Sequence, residues 1–117
     1  MLVAEDEAML RQLTCELLRT NGYAVLEARD PAEAIEISKQ TQKPIHLLMT
    51  DLVMQGMNGR MLAERLQSER PEMKVLYMSG YTDDIAFRNG LLDIDTSFLR
   101  KPFTMNALMH KLRAVLG

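Results

Sequence analysis

The feature that most constrains this chain is a regular alternation of short apolar runs with segments of helical periodicity. Apolar runs cover residues 1–4, 23–28, 45–50, 75–78 and 97–99. Each has the length of a buried strand and is too short for a packed helix. Between them the period changes. Over residues 7–21, Leu10, Leu13, Leu17 and Leu18 recur at helical spacing, and Gly22 stands where a helix C-terminal glycine belongs. Asp30-Pro31-Ala32-Glu33 opens a second helix reaching about Gln40: Asp30 can cap it, Pro31 suits the first helical position, and Glu33 can reach back. Residues 60–69 carry Met61, Leu62 and Leu66, and Pro71 closes that helix. A weak helix is expected over 83–89. Thr104 can cap a last one bearing Leu108, Leu112, Val115 and Leu116. Strands that alternate with helices predict a parallel sheet covered on both faces, with right-handed crossovers.

The bulk numbers agree with one such domain over residues 1–117. Because the first strand starts with nothing before it, excision from a longer parent is an expectation. A net charge of −2 gives no electrostatic reason to expect nucleic acid or an anionic membrane as partner. No apolar run approaches the roughly 20 residues that span a bilayer. The acidic start has no basic leader region, so it is not read as a signal peptide. Cys15 is the only cysteine, which excludes an internal disulfide and fits a reducing, cytoplasmic setting. The ten methionines are read as adaptable core and contact surface.

In a doubly wound sheet, ligands bind beyond the carboxyl ends of the strands. Glu5 and Asp6 follow the first strand, Asp51 the third, Ser79 the fourth and Lys101 the fifth. The fold would gather three carboxylates, a hydroxyl and an amine at one edge. Carboxylates held close together repel and raise one another's pKa. An oxygen-only set without His or Cys favours a hard ion such as Mg²⁺. Lys101 adds a second positive charge, suited to a phosphoryl group in transfer. A carboxylate can itself be the nucleophile. Taken singly, each residue has an ordinary structural alternative: Asp6 can cap the first helix, Asp51 can be a turn residue, and Lys101-Pro102 can be a loop. Their joint appearance after four strands favours the chemical reading. His46 and His110 have no acids at metal-ligand spacing and are assigned surface or structural roles, and Cys15 a packing role.

The segments Leu2-Val3-Ala4-Glu5-Asp6-Glu7, Leu48-Met49-Thr50-Asp51-Leu52-Val53-Met54 with Met57-Asn58-Gly59, Val75-Leu76-Tyr77-Met78-Ser79-Gly80-Tyr81 and Phe98-Leu99-Arg100-Lys101-Pro102-Phe103 resemble the receiver domain of bacterial two-component response regulators. The match spans nearly the whole chain, and Met78 to Asp84 with Phe98 to Phe103 most resembles receivers of hybrid sensor histidine kinases. The resemblance implies a flavodoxin-like three-layer α/β/α fold, a five-stranded parallel sheet of order 2-1-3-4-5, and five helices. It implies that Asp51 accepts a phosphoryl group from phosphohistidine on a histidine kinase or phosphotransfer domain. Mg²⁺ is then held by Asp6, Asp51 and the backbone carbonyl of Val53, with Glu5 acting more through water or hydrogen bonds. Lys101 pairs with phosphate, and its bond to Pro102 is expected to be cis. Ser79 and Phe98 form the switch. A homodimer through the fourth helix, fifth strand and fifth helix is a further implication, with no nucleic-acid or membrane contact by this domain and no independent turnover.

Departures from the family pattern stand at Glu5 in place of Asp, Gln55 in place of Pro, and Phe98 in place of Tyr. Val53 and Tyr81 lie two residues beyond Asp51 and Ser79, near the path of a hydrolytic water. Val53 offers no base and Tyr81 is bulky, so slow self-dephosphorylation is expected. An aspartyl-phosphate phosphatase wants an acid where Val53 stands. A nucleotide-binding module wants glycines where Glu5-Asp6-Glu7 stands. The remaining alternative is a non-phosphorylated interaction module of the same fold.

Overall fold

A computed structural model of the chain describes residues 1–54, 56–79, 98–101 and 103–116. The strands are β1 (Leu2–Ala4), β2 (Leu26–Ala28), β3 (Leu47–Asp51), β4 (Lys74–Ser79) and β5 (Phe98–Arg100). The helices among the described residues are α1 (Ala8–Thr20), α2 (Pro31–Gln40), α3 (Gly59–Glu69) and, last, α4 (Met105–Leu116). The helix expected over 83–89 lies outside the described residues. All four strand pairings are parallel, in the order β2-β1-β3-β4-β5. The sheet is the one expected, and β1 and β3 lie side by side, Ala4 opposite Thr50.

Two cores fill the faces of the sheet. Leu2, Leu48, Leu52, Leu62 and Leu66 pack on one side, against α2 and α3. Val3, Cys15, Leu18, Met49, Met78, Leu108 and Leu112 pack on the other, against α1 and α4. β3 is buried along its whole length, as a central parallel strand must be.

Local chemistry sets the helix ends. Asp30 accepts from the Glu33 N–H at 2.7 Å, and Glu33 reaches back to the N–H of Arg29, one residue further than in a capping box. Gly22 has φ +92°. Its N–H bonds Arg19 O while Tyr23 N–H bonds Leu18 O, the two hydrogen bonds of a Schellman end. Thr104 Oγ1 accepts from the Ala107 N–H, as expected of a cap.

Some expectations are corrected. β2 is three residues, not six: its ladder with β1 runs from Leu26 opposite Leu2 to Ala28 opposite Ala4, and Tyr23 to Val25 lead into it, with Ala24 O accepting from the Met1 amino group at 2.8 Å. The α1 stripe turned inward is Thr14, Cys15 and Leu18, while Leu13 is 54% exposed: the helix is rotated from the leucine face. Met61 likewise faces out and Ala63 in. Asp6 does not cap α1; Glu7 holds that position without a side-chain capping bond.

Candidate functional site

β1 and β3 are neighbours, so their carboxyl ends bring Glu5, Asp6 and Asp51 to one place. One ligand oxygen from each lies within 4.8 Å of the other two. Glu5 is 1% and Asp51 3% exposed, while Asp6 is open to solvent. Lys101, just past β5, crosses to the same point. Its Nζ is 3.0 Å from Glu5 Oε2 and in contact with Asp51 Oδ1. Two buried acids and one ammonium thus share a small volume beside an exposed third acid.

The electrostatics are unbalanced. Burial, followed by the Glu5 carboxylate beside it, pushes Asp51 up to about 9, and Lys101 only partly offsets this. Burial also acts to raise Glu5, but hydrogen bonds from Asp51 and the Glu7 N–H, with the Lys101 charge, carry it below its ordinary value. Lys101 loses hydration to burial, yet the two carboxylates hold its pKa above normal. Although Lys101 touches Asp51 Oδ1, this buried oxygen receives no hydrogen bond of ordinary geometry. A buried, under-satisfied carboxylate oxygen facing two more carboxylates suits a small hard cation, so the donor set fits Mg²⁺.

The N-terminus of α3 braces the phosphoacceptor candidate from behind. Gly59 N–H donates to Leu52 O at 2.7 Å, and a Cβ on Gly59 would sit 2.0 Å from Asp51 O. Asn58 caps this turn through the Met61 N–H at 2.8 Å. Gly59 opens α3, and its close approach to Asp51 is set by how that helix packs on β3.

Ser79 ends β4 in register with Arg100 of β5. The Val53 side chain is exposed two residues past β3. Phe98 opens β5 half-buried, with Lys111 Nζ of α4 5.9 Å from its ring centroid. Tyr81, Gln55 and the Lys101-Pro102 bond fall at least partly outside the described residues. His46 and His110 are exposed, and Cys15 is buried, its thiol pushed up to about 11 by burial and by Glu27. A cavity of about 630 Å³ lined by Met1, Tyr23, Lys43 and His46 includes none of the clustered acids.

A doubly wound parallel sheet with an acid cluster and a lysine at its carboxyl edge defines a class: α/β domains whose chemistry sits where the strand order reverses. The particular family follows from comparison. The model of the response regulator receiver domain matches residues 1–113, and the chain belongs to that family, the receiver domains of two-component signal transduction. It is 33% identical over 98% of its length to the sensor kinase CckA of Brucella abortus, spanning 12% of that protein. It is 30% identical to the response regulator receiver protein CpdR of Brucella abortus, covering 98% of this chain and 94% of CpdR. Among solved structures, the receiver domain from the hybrid histidine kinase CckA is 28% identical with a TM-score of 0.74, covering 99% of this chain and 97% of that one. No described helix is long and apolar enough to cross a membrane.

Proposed function

We propose that this receiver accepts a phosphoryl group on Asp51 from the phosphohistidine of a histidine kinase or phosphotransfer domain. The observation that carries this reading is the buried Glu5–Asp51–Lys101 contact with Asp6 at its rim. A carboxylate oxygen of Asp51 attacks phosphorus, the phosphorus–nitrogen bond to the donor imidazole breaks, and the imidazole takes up a proton. Lys101 stands where it can neutralise charge on the phosphoryl oxygens. Asp6, Asp51 and the Val53 carbonyl are the assigned holders of Mg²⁺, with Glu5 acting through water and through Lys101. Bound there, the ion supplies charge neutralisation for the acids and the incoming phosphoryl oxygens.

Ser79 is assigned as the hydroxyl that closes on the acyl phosphate, and Phe98 as the ring that follows it inward. Two packings of β5 and α4 then differ in population, because the phosphoryl contacts exist in only one of them. The altered surface is the one assigned to a protein partner or a second copy. The parent protein is proposed to be a hybrid sensor kinase working in the cytoplasm.

Intact-mass analysis after acetyl phosphate and Mg²⁺ tests this. The wild type should gain one phosphoryl group, and Asp51→Asn and Mg²⁺-depleted samples should not. A wild type that takes no label, or an Asp51→Asn protein that labels equally, refutes the assignment and leaves the non-phosphorylated interaction module.

A further inference from the structure

We infer that Arg11 is a positioning residue for the acidic loop, fixing the direction in which Asp6 presents its carboxylate; this rests on the cation-binding reading of the acid cluster given above. Asp6 is the exposed member of the cluster and does not cap α1, so its own contacts do not orient it. Its two neighbours are held instead. Glu5 N–H donates to Ala28 O at 3.1 Å, and Glu7 N–H donates to Glu5 Oε1 at 3.1 Å. Glu7 O accepts from the Arg11 N–H at 2.9 Å. The remaining group, the carbonyl of Glu5, lies past the last register pair of β1 with β3, Ala4 opposite Thr50. Arg11 Nη1 supplies its hydrogen bond at 2.9 Å.

That carbonyl belongs to the peptide leading into Asp6. Holding it sets the peptide plane, and with it the direction of the Asp6 Cα–Cβ bond. The guanidinium is anchored in turn: Arg11 Nε is 3.9 Å from Glu27 Oε1 on β2, and Arg19 Nη1 holds the other Glu27 oxygen at 3.3 Å. A planar fork can serve a carbonyl and a carboxylate together, which an ammonium does less well. Glu27 also offsets the Arg11 charge, so an arginine can stand beside a cation site without repelling the cation. Outer partners that orient ligand residues typically affect metal affinity 10–100-fold.

The test titrates Mg²⁺ alone and follows the backbone amide shifts of Glu5, Asp6 and Glu7, beside the Mg²⁺ dependence of acetyl phosphate labelling. Arg11→Ala should raise the half-saturating Mg²⁺ about tenfold in both readouts. The labelling rate at saturating Mg²⁺ should stay near that of the wild type. Arg11→Lys should recover part of the affinity, because it restores a donor to the carbonyl. Arg19→Ala, which loses a Glu27 ion pair but leaves the loop untouched, should change neither midpoint by more than about twofold. Glu27→Gln leaves the guanidinium charge uncompensated and should weaken Mg²⁺ binding too; it carries the test should Arg11→Ala fail to fold. Unchanged or tighter Mg²⁺ binding in Arg11→Ala, or in Glu27→Gln where that variant stands in for it, overturns the role of Arg11 while leaving the site intact. A loss in Arg19→Ala equal to that in Arg11→Ala also overturns it. A wild type whose amides do not respond to Mg²⁺ overturns the cation-site reading, and this inference with it.

Discussion

Substituting Gly59 by alanine should damage both stability and phosphorylation, although glycine to alanine in a helix ordinarily stabilises by up to about 1 kcal/mol. The added Cβ would sit 2.0 Å from Asp51 O, 2.9 Å from Asp51 C and 3.1 Å from Leu52 Cα. All three are backbone atoms, so no flexible side chain can step aside. Real Cβ atoms essentially never approach closer than 3.0 Å, so α3 and β3 must part by at least 3.0 − 2.0 = 1.0 Å. Parting them stretches the Gly59 N–H bond to Leu52 O, now 2.7 Å, and pulls on the β3–β4 ladder, where Asp51 pairs with Met78. Overpacking costs about 1–3 kcal/mol and a weakened hydrogen bond about 1 more, against a propensity gain below 1. A net loss of about 1–4 kcal/mol follows, roughly 4–20 °C in Tm for a domain of this size. A displacement near 1 Å at the nucleophile can also slow labelling by about 100-fold. Urea unfolding in metal-free buffer isolates the packing term, and acetyl phosphate labelling reads the site. Gly22→Ala is the control. Its φ of +92° strains an L-residue, but nothing lies within 4 Å of the new Cβ, so it should lose about 1 kcal/mol without slowing labelling. A Gly59→Ala protein as stable as the wild type, labelling at the same rate, would refute the reasoning.

Three further outcomes are expected. Without divalent ions, stability should fall as pH rises toward 9. Asp51 is held up to about 9 from 3.8, so burial favours its neutral form, and that contribution is complete below pH 3.8 and lost as the group ionises. The upward shift of Lys101 acts above 10.5 and the downward shift of Glu5 below 4.5, outside this window. Asp51→Asn or added Mg²⁺ should flatten the slope, and stability that climbed from pH 5 to 9 in chelator would contradict the account. Arg70→Ala should cost about 2–3 kcal/mol without altering labelling. Its guanidinium bonds Ser38 Oγ, Ser38 O, Thr41 O and Lys43 O at the end of α2, and a loss below about 0.5 kcal/mol by urea titration would show these bonds to be idle. Tyr81→Ala should shorten the lifetime of phosphorylated Asp51, followed by loss of label after removal of donor; an unchanged lifetime would remove the shielding role of Tyr81.

The alternation of short apolar runs with segments of helical periodicity was enough to predict the layers of the fold, and the resemblance supplied the strand order. The layers are set by local patterning, in which each element must bury its apolar side. The site residues were legible for the same reason: Glu5, Asp6, Asp51 and Lys101 stand at or just past strand ends, and a parallel sheet sends all of these ends to one edge. Rotation about a helix axis was less legible. Leu13 and Met61 matched the helical spacing yet face solvent, while Thr14, Cys15, Leu18 and Ala63 turn inward. Only the tertiary structure decided how the acids are held. Gly59 against the Asp51 carbonyl, Arg11 on the Glu5 carbonyl and Arg70 on the end of α2 join backbone groups to residues up to 32 positions away. A backbone carbonyl is the same in every residue, so no sequence pattern marks which one will be reached. That choice belongs to the packing of helices on the sheet, and it sets how the acids at the sheet edge are supported.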